Sequence, residues 1–283
     1  MLMTYLFTQA EPVPFNPIFV FGFIGVILLI CGYYILRFLE TIYAKYYHKP
    51  YFVHLYIFQK KITPRQKRLL NQFPFYQKLE KKEQKYFEHR IYRFIENTNI
   101  HGREGFVVDE EVKVTVAMIA VMLTFGMRNY LLEYLQTILI YPTAYFSVMN
   151  QTEHKGEYNP RLKTLVFSWE DFMHGNQIED DAINLGIHEI THAIHYNAIK
   201  NNDISSELFY DTFLELEAYL SDESLREKLN ASNVLREYAF TDKFEFVAVL
   251  IEVFIESPKK LRADFPKVYA LVKQMLNYRF AGY

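Results

Sequence analysis

The chain has 283 residues, 51% hydrophobic and 17% aromatic, enough to bury a full core and too apolar for wholesale disorder. Ten glycines and ten prolines exclude collagen-like and low-complexity designs, and the single cysteine, Cys31, excludes a disulfide framework or a cysteine-based zinc cluster. A formal net charge of −2 excludes a uniformly basic nucleic-acid binder, yet it averages three unlike regions. Residues 1–36 carry one charge, Glu11; residues 37–93 carry 14 Lys/Arg against 4 Asp/Glu; residues 94–283 carry 17 against 28.

No charge lies between Glu11 and Arg37, and Ile18–Leu36 is almost wholly apolar. About 20 such residues cross the hydrocarbon layer, and a helix is the only form in which one isolated segment satisfies its own backbone there. The preceding MLMTYLFTQAEP lacks the basic start of a cleaved signal peptide, so the span is expected to remain as an anchor. Arg37, Lys45 and Lys49 follow it, and Lys60, Lys61, Arg65, Lys67 and Arg68 extend the run. By the positive-inside rule the C-terminal bulk is expected in the cytoplasm. Tyr33, Tyr34, Tyr43, Tyr46 and Tyr47 suit the membrane–water boundary, and the basic stretch suits anionic lipid at about 1 kcal/mol per close charge.

Further along, Gln84–Asn97 and Asp109–Phe125 read as helices, the second opened by Asp109, Glu110 and Glu111, which suit a helix N-terminus. Thr137–Tyr141 and Lys163–Trp169 are β-rich and read as strands. A helix is expected over Ile178–Ala198 with Glu179, Asp180 and Asp181 in its first turn, and another over Thr241–Glu256, stopped before Pro258. A last amphipathic helix is expected from about Asp264 to Asn277. With no linker, repeat or low-complexity tract after residue 50, the soluble part reads as one compact domain, α+β and predominantly helical.

His188-Glu189-Ile190-Thr191-His192 is the chemical centre of the sequence. Residues i and i+4 share a helix face, so the two histidines offer imidazole nitrogens to one cation, and Glu189 lies where its carboxylate reaches a metal-bound water. Zinc lowers the pKa of such a water to about 7, and a carboxylate then serves as general base. His195 is on the same face, but it starts about 10.5 Å from His188 along a straight helix, too far to share an ion. The longer zinc motif with a third histidine is excluded, because His195 stands at its glycine position and Ala198 at its third-histidine position. The remaining acids, Glu207, Glu215, Glu217, Glu245 and Glu252, are not distinguished by spacing. Glu245 and Glu252 lie in an apolar stretch and so each requires a charged partner.

The blocks Tyr86–Asp109, TILIYP, LVFSW, NLGIHEITH, Tyr238–Val249 (YAFTDKFEFVAV) and FIESPKKL with PKVYAL resemble, in order, the zinc metallopeptidases typified by Mlc titration factor A. The resemblance covers residues 86–278 and implies a gluzincin-type HExxH domain in which Glu245 is the third zinc ligand. It also implies that Tyr238 points its hydroxyl at the site, where a phenol stabilises the oxyanion. Family members show chiefly aminopeptidase-like activity. Two departures stand out: His195 replaces a common aspartate, and this chain carries an anchor.

The expected organisation is therefore a short extracytoplasmic N-terminus (1–16), a transmembrane helix (17–37), a basic juxtamembrane helical segment (38–85) and a zinc metallopeptidase domain (86–283). The leading reading is a single-pass protein of the bacterial inner membrane with its catalytic domain in the cytoplasm. It would bind one Zn2+ through His188, His192 and Glu245, and act on a peptide or protein substrate with Glu189 and Tyr238. Strand Lys163–Trp169 is expected to align the peptide by backbone pairing. The alternative is a zinc-stabilised protein that binds a regulatory partner at the membrane with little or no hydrolysis. Membrane lipid is a partner in both readings, and nucleic acid in neither.

Overall fold

The computed structural model describes residues 17–147, 152–177, 184–232 and 234–283. The N-terminus expected over 1–16 and the acidic turn of Glu179, Asp180 and Asp181 lie outside the described residues.

Helix α1 (Pro17–Tyr47) is long and apolar enough to cross a membrane, and its apolar stretch is unburied among the described residues. Its last turns dock on the rest of the chain through Ala44, which is buried with Ile204 and Leu208, and through Glu40, which pairs with Arg128. Helices α2 (Pro64–Gln72) and α3 (Pro74–Lys78) each open on a proline, whose fixed φ suits the first helical position and whose missing N–H is not needed there. Thr63 caps α2 in a reciprocal pair with Gln66, at 3.2 and 2.8 Å. Both helices contribute core side chains, Leu70 from α2 and Phe75 and Tyr76 from α3.

Helix α4 (Lys81–Asn97) buries Phe87, Ile91 and Phe94, and with them Arg90, which is fully enclosed. Among the described residues no acid pairs with this guanidinium; it donates instead to the carbonyls of Thr124, Phe125 and Met127 at 2.7–3.0 Å. Thr124 and Phe125 directly follow α5 (Glu110–Leu123), so the cation sits at that helix's electronegative end. Helix α5 is apolar on nearly every side and forms the middle of the core.

The main sheet joins β1 (Asn99–Gly102), β2 (Thr137–Tyr141), β5 (Gly156–Asn159) and β6 (Thr164–Ser168) in the order β1-β2-β6-β5. The first three run parallel and β5 runs antiparallel to β6, while β3 (Tyr145–Ser147) and β4 (Thr152–His154) make a separate ribbon. Strand β6 is therefore interior, its backbone shared with β2 on one side and β5 on the other. That overturns the expectation that it aligns a peptide, because its pairing groups are already used. The edge next to the site helix belongs to β5, whose outer side pairs with no strand among the described residues.

Helix α6 (Trp169–Gln177) leads towards the central helix α7 (Leu185–Lys200), which touches α5, α6, β5 and β6 and also α8 (Ile204–Tyr219). Helix α7 starts at Leu185 rather than Ile178, because Asn184 leaves the helical backbone (φ −112°, ψ 98°) and its side chain accepts from the Ile187 N–H at 3.0 Å. Gly186 lies against Phe172 of α6, where a Cβ would come within 2.5 Å of the ring, so the two helices meet only through a glycine. After α9 (Glu223–Ala231) and a 3-10 turn at Glu237–Phe240, α10 (Lys243–Glu256) crosses α7. Helices α11 (Pro258–Asp264) and α12 (Pro266–Met275) close the fold, each again opening on a proline.

Candidate metal centre

Two helices build the site. On α7, His188 and His192 sit one turn apart on one face, with imidazole Nε2 atoms 3.1 Å from each other. On α10, Asp242 accepts from the N–H groups of Phe244 and Glu245 at 2.7 and 3.0 Å, which fixes the helix start and delivers Glu245 from its first turn. The Glu245 carboxylate lies 3.0 Å from His188 Nε2 and 3.5 Å from His192 Nε2. Ligand atoms of the three residues all lie within 4.8 Å of one another. Of the other acids offered by the sequence, Glu207, Glu215 and Glu217 on α8 stay outside this cluster.

The donor set fits a metal ion. Glu252, fully buried two turns further along α10, holds His188 Nδ1 at 2.5 Å, so that nitrogen carries a proton and Nε2 turns to Glu245 and His192. Glu245 Oε2 is buried and meets no aligned hydrogen-bond donor, although Nε2 is close. Lone pairs gathered without a matching donor are what a cation satisfies, and two imidazoles with one carboxylate are a common zinc set.

The electrostatics agree. Burial pulls the His188 imidazole down, but the Glu245 and Glu252 carboxylates beside it outweigh it and raise its pKa to about 9. Burial likewise pushes the Glu245 carboxyl up, and the two histidines more than reverse this, leaving it well below the usual carboxylate range. A metal ion entering here has to displace the His188 proton.

Glu189 points beside this cluster towards the edge strand. A Cβ at Gly156 would lie 2.8 Å from its Cγ and Oε1, so only a glycine in β5 lets the carboxylate sit there. Burial pushes the Glu189 carboxyl up against the opposing charge of the two histidines. Tyr238, in the 3-10 turn before α10, has its ring 6.1 Å from that of His188 and remains 49% exposed. Its phenol is pushed up to about 12 by burial and by the Glu245 carboxylate beside it. The structure thus brings all five sequence-selected residues into one place.

Three residues around the site, Arg236, Asn184 and Tyr145, were given no part in it by the sequence, and a fourth, Glu252, was offered only as a candidate ligand. Glu252 was one acid among several; its place behind His188 depends on the crossing of α7 and α10, which spacing does not give. Arg236 donates to Glu252 Oε1 at 2.8 Å, and the Asn184 N–H donates to Oε2 at 3.1 Å. Tyr145 has a buried hydroxyl with no hydrogen-bond partner among the described residues, its pKa raised by burial and by Glu157 and Glu189. His195 faces away from the cluster, boxed by Phe209, Phe213 and Phe244, with neither ring nitrogen hydrogen-bonded among the described residues and burial pulling it down to about 4. A cavity of about 660 Å³ lies along Asn184 and Ile187 of α7, and none of the five site residues lines it.

A histidine pair flanking a glutamate on one helix, joined by a carboxylate from a later helix in a mainly helical frame, defines a metallopeptidase-like protein. The chain belongs to the glucose-regulated metallo-peptidase M90 family, whose sequence profile matches residues 54–278. It is 24% identical over 241 residues to slr2042, an uncharacterized protein of Synechocystis sp., covering 77% of this chain and 85% of that one. It is 21% identical over 196 residues to Mlc titration factor A of Cronobacter sakazakii, covering 62% of this chain and 72% of that one.

Proposed function

We propose that this protein is a membrane-anchored, zinc-dependent peptidase of aminopeptidase-like action, organised into the four segments set out above. The anchor is α1, in the bacterial inner membrane, and the catalytic domain faces the cytoplasm. The observation that carries the peptidase reading is the convergence of His188, His192 and Glu245 with Glu189 beside them, His188 being oriented from behind by Glu252. His188, His192 and Glu245 hold the ion, which when bound supplies a Lewis acid and a water acidic near neutral pH.

The remaining chemistry belongs to the chain. Edge strand β5 pairs with an extended peptide and lays it along α7. Glu189, its proton affinity raised by burial, takes a proton from the attacking water at its carboxylate and passes it to the departing amine. Tyr238 donates its hydroxyl to the carbonyl oxygen as negative charge develops there, an interaction realised mainly in the transition state. Arg236 and Asn184 hold Glu252, and Glu252 holds the His188 tautomer.

Glu189→Gln tests this assignment. The variant is expected to retain zinc and lose peptide hydrolysis by about 10²–10⁴-fold, the usual contribution of a general base. Wild-type activity in that variant contradicts the mechanism. A second reading, capture of a regulatory protein, is supported by the relative named as a titration factor. It predicts that Glu189→Gln leaves the cellular role intact while removal of α1 abolishes it.

A further inference from the structure

Between α1 and α2 the chain does not continue away from the anchor. The Tyr51 ring packs 5.2 Å from that of Tyr43, one turn back along α1. The Phe52 ring lies 4.2 Å from the guanidinium of Arg128, which in turn pairs with Glu40 at 3.0 Å. Having left α1 at Tyr47, the chain has thus returned by Phe52 to the level of Glu40, three residues beyond Arg37, where the charge-free span ends.

The loop that follows is pinned from within by its polar aromatic residues. His54 stacks on Tyr86 with centroids 4.7 Å apart, and the Tyr56 hydroxyl accepts from Arg90 Nε at 2.6 Å. The Lys60 N–H donates to His89 Nδ1 at 3.0 Å. The side chains facing out are the apolar ones: Leu55, Ile57 and Phe58 are 68%, 85% and 84% exposed. Among the described residues no large apolar side chain of α1 is as exposed as Ile57 or Phe58. This inverts the usual order of a water-facing loop, and the inversion is held rigidly by buried partners. Lys45 and Lys49 precede the loop, and Lys60 and Lys61 follow it.

We propose that residues 55–58 form a second membrane contact. Leu55, Ile57 and Phe58 enter the interfacial layer of an anionic bilayer, and Lys60 and Lys61 meet its phosphates. Apolar knobs rimmed by lysines are the chemistry of interfacial binding, and the loop returns towards the plane in which α1 leaves the bilayer. Two attachments, one spanning and one interfacial, fix the orientation of the domain where a single helix would leave it free to turn. The proposal rests on the reading of α1 as a membrane anchor.

The test uses the full chain, with Cys31→Ser, in nanodiscs of phosphatidylcholine and phosphatidylglycerol. The environment-sensitive fluorophore NBD is placed in turn on Phe58→Cys, on Ile30→Cys within α1, and on Leu162→Cys, an exposed apolar residue of the β5–β6 turn. Lipids spin-labelled in the head group or deep in the acyl chain act as quenchers. Head-group label is expected to quench position 58 about threefold more than position 162, and deep label to quench position 30. Quenching at 58 no greater than at 162, with 30 still quenched by the deep label, overturns the second contact and leaves the anchor standing. Absence of deep quenching at 30 overturns the anchor and the proposal together. A concentration-dependent blue shift at 58 without lipid quenching assigns the patch to a second copy of the chain and also overturns it.

Discussion

Glu252→Gln probes the site through a residue that touches neither substrate nor metal in the scheme above. The carboxylate has no exposure and accepts three hydrogen bonds, from His188 Nδ1 at 2.5 Å, Arg236 at 2.8 Å and the Asn184 N–H at 3.1 Å. Glutamine has the same shape but only one accepting oxygen. If that oxygen keeps His188 and Arg236, the new amide faces the Asn184 N–H; if it keeps Asn184, the amide faces the other two donors. At least one buried donor is left unmatched either way, which costs about 1–3 kcal/mol of folding free energy. Arg236 is partly exposed and recovers water, which places the expected loss at the lower end. The Nδ1 support of His188 weakens too, and loss of such support lowers metal affinity about 10–100-fold. Zinc dissociation measured by chelator competition, beside thermal unfolding of the metal-free protein, separates the two effects. A variant with reduced stability and unchanged zinc affinity refutes the orienting role of Glu252.

Other predictions follow from single contacts. Gly156→Ala drives a Cβ to 2.7 Å from Leu185 Cδ1 and 2.8 Å from the Glu189 carboxylate, so hydrolysis should fall steeply and stability by about 1–3 kcal/mol; unchanged kcat refutes the close approach of β5 to Glu189. His195→Asp buries a carboxyl among three phenyl rings and should cost at least about 2 kcal/mol in thermal or chemical unfolding. In the metal-free protein the raised His188 contributes stability that is complete below its ordinary 6.5 and lost as pH rises through about 9. Lowered Glu245 contributes stability present above its ordinary 4.5 and lost on acidification. The contribution of this pair, read as the difference in unfolding at graded pH between the metal-free protein and its His188→Gln, Glu245→Gln double variant, should therefore be largest between those two ordinary values. Zinc affinity should rise across the window from 6.5 to 9 as the competing His188 proton leaves.

Much of this was legible wherever the signal was local. A charge-free run marks α1, the spacing of His188 and His192 places both on one face, and TILIY and TLVFS emerge as β2 and β6 within a residue of the expected bounds. Signals that depend on tertiary partners were not legible. Arg90 reads as one more cation of a basic stretch, and only the carbonyls ending α5 explain its burial. Strand β5, four residues with a glycine, lacks the alternation that marks a strand, so the interior β6 attracted the role proposed above for its edge neighbour. Asn184 resets the start of α7 because an N-cap competes with the apolar pattern around it. Glu245 and Glu252 are both acids in an apolar helix; one faces the open side and the other the back of His188, and only the crossing of α7 with α10 separates them.

Metal content tests the central claim most directly. Full-length protein, purified without chelator and measured by elemental analysis, is expected to carry one zinc per chain. That zinc should be lost in His192→Ala and in Glu245→Ala, with the fold retained by circular dichroism. Stoichiometric zinc persisting in both variants contradicts the centre described here.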